Sequence, residues 1–287
     1  MSAQTPKVDV KVQKELQYQA WKKLTAEVRK EQLAREHSFL VLSIVAKAKS
    51  GKSGIAMDIR TPKEVEEGHI VRFLDFDDGA EVTWKTHWAS DPNIYVYCPN
   101  HYNDDGTENY ALTMQNALHF VRETEEMIAD DKTNVRAFVV DGMDKWNDCV
   151  TNKLRYDITR GERKKMSNPI NPTQYGARNI DHNELFISTL RLQCDKVFIT
   201  HLKPTFQDFN NPTVTGFVPN WNKDVPDKMI QMLSIKDEGT GNNTKYIAKL
   251  LASKTNPNLV GKTWTFFESN SKEAKWTGIP EIQNREI

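Results

Sequence analysis

The chain has 287 residues, enough for a sizeable core and for one α/β domain with insertions. Its 39 basic and 39 acidic residues cancel, which excludes a global basic field for nucleic acid and leaves any such contact to a local patch. Three widely spaced cysteines, Cys98, Cys149 and Cys194, exclude a disulfide framework and a C-x-x-C zinc site, and with no long apolar run or signal peptide they predict a cytoplasmic protein with no membrane contact.

Residues 1–37 read as a polar lead-in followed by a helix over Gln13–Glu36. Its sparse apolar stripe, Leu16, Trp21, Leu24, Val28 and Leu33, suits packing on its own core or docking on a neighbouring subunit. From residue 38 to 270 the pattern is that of one α/β domain, and 271–287 reads as a polar C-terminal tail. The domain opens on FLVLSIVAKAKSGKSGIAMDI. Its apolar start is a strand buried on both faces of a parallel sheet, and its end opens a helix. Between them Lys47, Ala48, Lys49, Ser50, Gly51, Lys52, Ser53 and Gly54 form a phosphate-binding loop of the G-x-x-x-x-G-K-[ST] type, with Ala46 in place of the first glycine. Backbone amides from Lys49 to Ser53 surround a triphosphate in such a loop. Lys52 reaches the β and γ phosphates, and Ser53 holds Mg²⁺.

Thr61-Pro62-Lys63-Glu64 has the form of a capping box with proline at the first helical position, and Gly68 ends that short helix. A strand over His69–Phe76 then delivers Asp75, Asp77 and Asp78 to its carboxyl end, where open α/β sheets bind ligands. Residues 80–106 read as irregular with a small β excursion, and 111–129 as an amphipathic helix. Val135–Val140 is a buried strand ending in Asp141. An apolar strand closed by an aspartate, some way after a phosphate loop, orients Mg²⁺.

Residues 151–175 carry the strongest basic patch, with Arg160, Arg163, Lys164 and Lys165; phosphate contact and a solvated loop are the two readings. A helix over Asn183–Cys194 leads to the strand Lys196–Thr200, whose end offers Thr200 and His201 to a γ-phosphate. The connection 202–227 reads as irregular and interleaves Lys203, Phe206, Trp221 and Lys223, a pattern suited to single-stranded nucleic acid. A β hairpin over 229–253 and a last strand at 263–268 close the domain.

The ordered set AKAKSGKS, FLDFDD, FVVDGMD, VFITH and LLASKTNP resembles the RecA/RadA-like ATPases, closest to the compact phage and archaeal-virus type. The resemblance implies a RecA-like P-loop core with a mostly parallel central sheet flanked by helices, a C-terminal β hairpin and an N-terminal helix. It implies ATP and Mg²⁺ as cofactors, single-stranded DNA as partner in annealing, recombination or replication, and a ring or filament of identical subunits with ATP at their interfaces. On it, Asp77 activates the attacking water, Thr200 and His201 sense the γ-phosphate, and Lys254 reaches a neighbour's nucleotide. Loops 151–175 and 202–227 correspond to the two DNA-binding loops. Lys47 and FLDFDD are also similar to the ParA/MinD partition ATPases; a ring helicase, a packaging motor and a non-hydrolysing nucleotide-binding scaffold are further alternatives.

Overall fold

The computed structural model describes residues 10–34, 38–130, 133–162, 165–166, 169–206, 213–222, 225–239, 243–270 and 273–287. Two compact units divide the chain at Ser38. The first contains α1 (Val10–Ala34), a 25-residue helix on which Leu16, Trp21, Leu24 and Leu33 are each more than half exposed.

The second unit runs from Phe39 to Ile287. Its strands are β1 (Val41–Ala46), β2 (Ile70–Asp75), β3 (Ile94–Tyr97), β4 (Val135–Asp141), β5 (Asp195–Phe206), β6 (Val214–Pro219), β7 (Gln231–Asp237), β8 (Thr244–Ser253), β9 (Thr263–Ser269) and β10 (Ala274–Trp276). The described helices are α2 (Lys52–Met57), α3 (Pro62–Glu66), α4 (Ala80–His87), α5 (Tyr110–Ala129), α6 (Met143–Thr159), α7 (Tyr175–Arg191), α8 (Val225–Lys228) and α9 (Pro280–Gln283). None is long and apolar enough to cross a membrane.

The sheet order is β10-β9-β8-β7-β1-β5-β4-β2-β3, with β6 paired to the outer part of β5. This corrects the expected mostly parallel RecA-like sheet. The pairs β1·β5, β1·β7, β2·β3, β2·β4 and β4·β5 are parallel, whereas β5·β6, β7·β8, β8·β9 and β9·β10 are antiparallel. A ten-stranded mixed sheet results. The reason is the connections: parallel neighbours need a crossover, and from β7 to β10 the described residues hold no α-helix to make one, only the three-residue 3-10 helix Pro257–Leu259, so the chain doubles back in hairpins.

Alternating side chains divide the core between the two sheet faces, as the two-residue period of a strand requires. Leu42, Ile44, Phe73, Val139, Val197 and Leu233 join α2 and the C-terminal residues Ile279, Ile282 and Ile287 in one apolar cluster. Leu74, Phe138, Val140 and Phe198 join α5, α6 and α7 in the other. Residues 274–287 belong to this packing: β10 pairs with β9, and Ile279, Ile282 and Ile287 are buried.

Under the first face lies a buried ion network. Arg136 on β4 is fully enclosed, donates Nε to Glu64 at 2.9 Å and pairs through Nη1 with Asp195, while Arg285 reaches the same Asp195 at 3.1 Å. Arg136 also donates to the Gln283 carbonyl at 2.8 Å, which ties α9 to the central strands. The Thr61–Glu64 capping box forms as expected, and the same Glu64 carboxylate serves both the cap and Arg136.

The segment 80–106 is more regular than expected. It holds α4 and the parallel edge strand β3. The described part of the connection 202–227 is likewise regular: β5 continues to Phe206 and pairs antiparallel with β6.

Candidate nucleotide and metal site

Strand register places the site. Asp75 on β2 lies opposite Asp141 on β4, Asp141 opposite Ile199 on β5, and His201, two residues on, opposite Ala46 at the end of β1. The carboxyl ends of β1, β2 and β4 and the middle of β5 therefore meet at one level of the sheet. A cleft of about 380 Å³ opens there, walled by Lys49–Gly54, Asp77, Thr83, Asp141, His201, Tyr246 and Trp276 among others.

The loop after β1 turns through Lys49 (φ 58°) and Gly51 (φ 78°), both left-handed. Ala46 is the last residue of the strand and has no positive φ, so the missing first glycine costs this loop nothing. The Lys47 carbonyl accepts from Ser50 Oγ at 2.8 Å and from Lys52 Nζ at 2.9 Å, closing the loop on itself. Burial lowers the pKa of Lys52, and the charges of Asp141, Asp77 and Asp144 oppose that shift.

Ser53 Oγ donates to Asp141 Oδ2 at 2.5 Å. Burial pushes Asp141 up to about 7; the Ser53 hydrogen bond and Lys52 lower it, while the neighbouring Asp75 and Asp77 add to the rise. Asp75 accepts from the amides of Asp77 at 3.1 Å and Ala80 at 2.7 Å, so its work is to fold the β2–α4 turn and aim Asp77. Burial raises Asp77 above the usual carboxylate range, against the pull of His201.

Behind this carboxylate the His201 ring meets Asp144. Nδ1 lies 3.2 Å from Asp144 Oδ2 and 3.6 Å from Asp77 Oδ2. The Asp144 hydrogen bond raises His201 despite its burial; burial would raise Asp144, but the His201 contacts bring it below its ordinary value. Thr200 is buried; its hydroxyl donates to the Asn220 carbonyl at 3.0 Å and lies 3.5 Å from Asp144 Oδ1, and the residue does not line the cleft.

The anticipated residues thus divide. Lys49, Ser50, Gly51, Lys52, Ser53, Gly54, Asp77, Asp141 and His201 all line the cleft. Lys47 is exposed and places Nζ 4.6 Å from the centre of the Phe217 ring on β6; Ala48 is exposed beside it. Lys254 follows β8, and since Ser253 pairs with Gln231 at the start of β7 it sits at the opposite sheet edge, donating to the Asp227 carbonyl at 3.3 Å. Arg160 caps α6, about 25 Å along that helix from Gly142, and Lys165 pairs with Glu162 at 2.7 Å. Arg163, Lys164 and Lys223 lie outside the described residues. Lys203 and Phe206 are exposed on β5, whereas Trp221 is half-buried against the second core cluster.

Sequence reasoning missed Asp144 as a site residue, although its position in the first turn of α6, three residues beyond Asp141, was a usable signal. It also missed the aromatic wall. Tyr246 touches Gly51, its hydroxyl donates to the Lys49 carbonyl at 3.3 Å, and Trp276 packs on Gly54. These contacts join residues some 200 positions apart, which no local pattern announces.

The donor set could serve phosphate and a hard cation: loop amides and an ammonium suit an anion, and a hydroxyl and a carboxylate side by side suit a metal. No family model matches the chain, and a search of curated proteins found no match to it.

Proposed function

We propose that the chain binds ATP through its phosphate loop and hydrolyses it, and that it is a RecA-like DNA-dependent ATPase of single-strand annealing, recombination or replication. The observation that carries the nucleotide reading is the 2.5 Å contact between Ser53 Oγ and Asp141 Oδ2 beside Lys52. Those two oxygens are the pair that would hold Mg²⁺, and the ion when bound would neutralise charge on the β and γ phosphates. Loop amides from Lys49 to Ser53 would bind the phosphate oxygens, with Lys52 turning from the Lys47 carbonyl to the γ-phosphate. Asp77, aimed by the Asp75 turn, would accept a hydrogen bond from the attacking water and hold it in line. His201 beside it would register the γ-phosphate on the strand that continues into the β5–β6 hairpin. Lys203 and Phe206 there are the exposed cation and ring suited to a single strand. Assembly into a homo-oligomer and a cytoplasmic location complete the proposal, with Lys254 from the far sheet edge facing a neighbour's nucleotide.

One experiment separates its parts. ATP turnover is measured with and without single-stranded DNA, alongside oligomer size by light scattering and binding of a fluorescent ATP analogue. Saturable nucleotide binding that Lys52→Ala abolishes, with turnover stimulated by DNA, supports the whole. Binding without turnover leaves a nucleotide-binding scaffold, and no binding by folded wild-type protein refutes the nucleotide reading.

A further inference from the structure

Asp77, Asp144 and His201 offer ligand atoms that all lie within 4.8 Å of one another. A charged imidazole–carboxylate hydrogen bond is about 2.7–2.9 Å long. Here Nδ1 stands 3.2 and 3.3 Å from the two Asp144 oxygens and 3.6 Å from Asp77 Oδ2. One ring nitrogen carries one proton and cannot direct it along both lines. By contrast, two ligands about 2.1 Å from one ion stand roughly 3.0 Å apart at a right angle and roughly 3.4 Å apart at the tetrahedral angle. The 3.2 and 3.3 Å separations fall between those values, and the 3.6 Å separation lies a little beyond them.

We infer that Asp77, Asp144 and His201 form a site for one divalent transition-metal ion, separate from the Ser53–Asp141 pair. Two carboxylates and an imidazole are a ligand set for Mn²⁺, Co²⁺ or Zn²⁺ rather than for Mg²⁺, which prefers oxygen alone. The ligands are held from behind. Asp144 is buried and anchored in the first turn of α6, where the His201 amide, at 3.4 Å, also points to its Oδ1. Asp77 is fixed by the turn that Asp75 organises, and His201 by its place on β5. The open coordination positions face the cleft that Asp77 and His201 both line. Lys52 and Lys145 are the ammonium groups whose charge bears on Asp77, so a divalent ion adds to two existing cations beside two carboxylates. The site stands on this chain's own geometry and does not depend on the nucleotide reading.

The test is titration of metal-free, nucleotide-free full-length protein with Co²⁺, followed by visible absorption and calorimetry, and with Mn²⁺ followed by electron paramagnetic resonance. One equivalent of Co²⁺ is expected to bind, with affinity falling tenfold or more in His201→Ala and in Asp144→Asn and staying within threefold in Ser53→Ala. Circular dichroism checks that each variant is folded. No stoichiometric binding by the folded wild type overturns the site; so does equal affinity in His201→Ala, or loss in Ser53→Ala alone. A fluorescent ATP analogue on the same samples keeps the two proposals apart, since ATP can bind where Co²⁺ does not and the reverse.

Discussion

Gly54→Ala tests the packing of the loop against the aromatic wall. Gly54 is in the first turn of α2 at an ordinary helical φ, where alanine is by itself the better helix former by about 1 kcal/mol. On local propensity the substitution stabilises. The surroundings reverse the sign. A Cβ built at Gly54 falls at or inside 2.6 Å of three carbons of the Trp276 ring, where ordinary contact begins at 3.4 Å. The ring must retreat by roughly 1 Å or more, and it has little room to do so. Phe267 stands 4.5 Å away between ring centres, Trp88 5.0 Å and His87 5.5 Å. Contacts this short put the overpacking in the upper part of its usual range, about 2–3 kcal/mol, and the helix gain offsets about 1 of it. We therefore expect a net loss of about 1–2 kcal/mol by urea unfolding, or a fall of about 2–8 °C in Tm for a unit of this size. Trp276→Leu should remove most of the penalty, so the double variant should lie above the sum of the singles. A Gly54→Ala protein as stable as wild type, or an additive double variant, would refute the close approach of Trp276.

Other parts of the chain give further outcomes. Arg136→Ala leaves the buried Asp195 and Glu64 with Arg285 as their one remaining guanidinium and should cost up to about 3–5 kcal/mol in the same unfolding assay. Asp58 is pushed up to about 6 by burial, so between about pH 4 and 6 the native state binds more protons than the unfolded one and stability falls as pH rises through that window. Asp58 is partly exposed, which discounts the effect to about 1–2 kcal/mol; Asp58→Asn should flatten this slope in thermal melts. Burial pushes the thiols of Cys98 up to about 11 and Cys194 up to about 12, and Cys149 higher still, so at pH 8 a thiol reagent should label the native protein slowly and three thiols quickly in urea. Rapid labelling of a native thiol would show that its burial is overstated.

Where the chain is apolar on both sides of a strand it is legible, because burial on two faces leaves an unbroken run. LSIVA and AFVVD announce β1 and β4, and the Gly-Lys-Ser and aspartate at their ends follow directly. α4 and β3 were harder. Ala80 is the one buried residue of α4, so the helix shows almost no stripe, and β3 is a four-residue edge with Tyr95 turned outward. The β5–β6 hairpin was illegible for a related reason. Val214, Phe217 and Val218 are exposed, Pro204 interrupts the run, and no buried face imposes a two-residue alternation. The parallel-sheet expectation failed at its far side, since a pattern of apolar strands does not say whether the next strand returns by a helix or by a hairpin. At the site, spacing identified the groups that follow strands directly, Lys52, Ser53, Asp77, Asp141 and His201. Asp144 escaped because its place in the cluster is made by a contact with a ring more than 50 residues away.

The mixed sheet changes what the cleft is. A parallel core alone would leave the outer side of the Lys47–Ser53 loop to solvent or to a neighbouring subunit. Here the chain folds back through β8, β9 and β10 and presses Tyr246 and Trp276 onto Gly51 and Gly54, so that the loop has a wall of its own. That wall fixes the choice of residue at two positions for different reasons: Gly51 needs both its left-handed φ and the space that Tyr246 occupies, Gly54 only the space that Trp276 occupies. It also links the loop to the end of the chain. β10 leads into α9, α9 is tied to Arg136, and Arg136 sits on the strand that ends in Asp141. A disturbance of the C-terminal residues therefore reaches the loop through Trp276 and the carboxylate through β4. Loss of Arg136 should accordingly alter the site as well as stability.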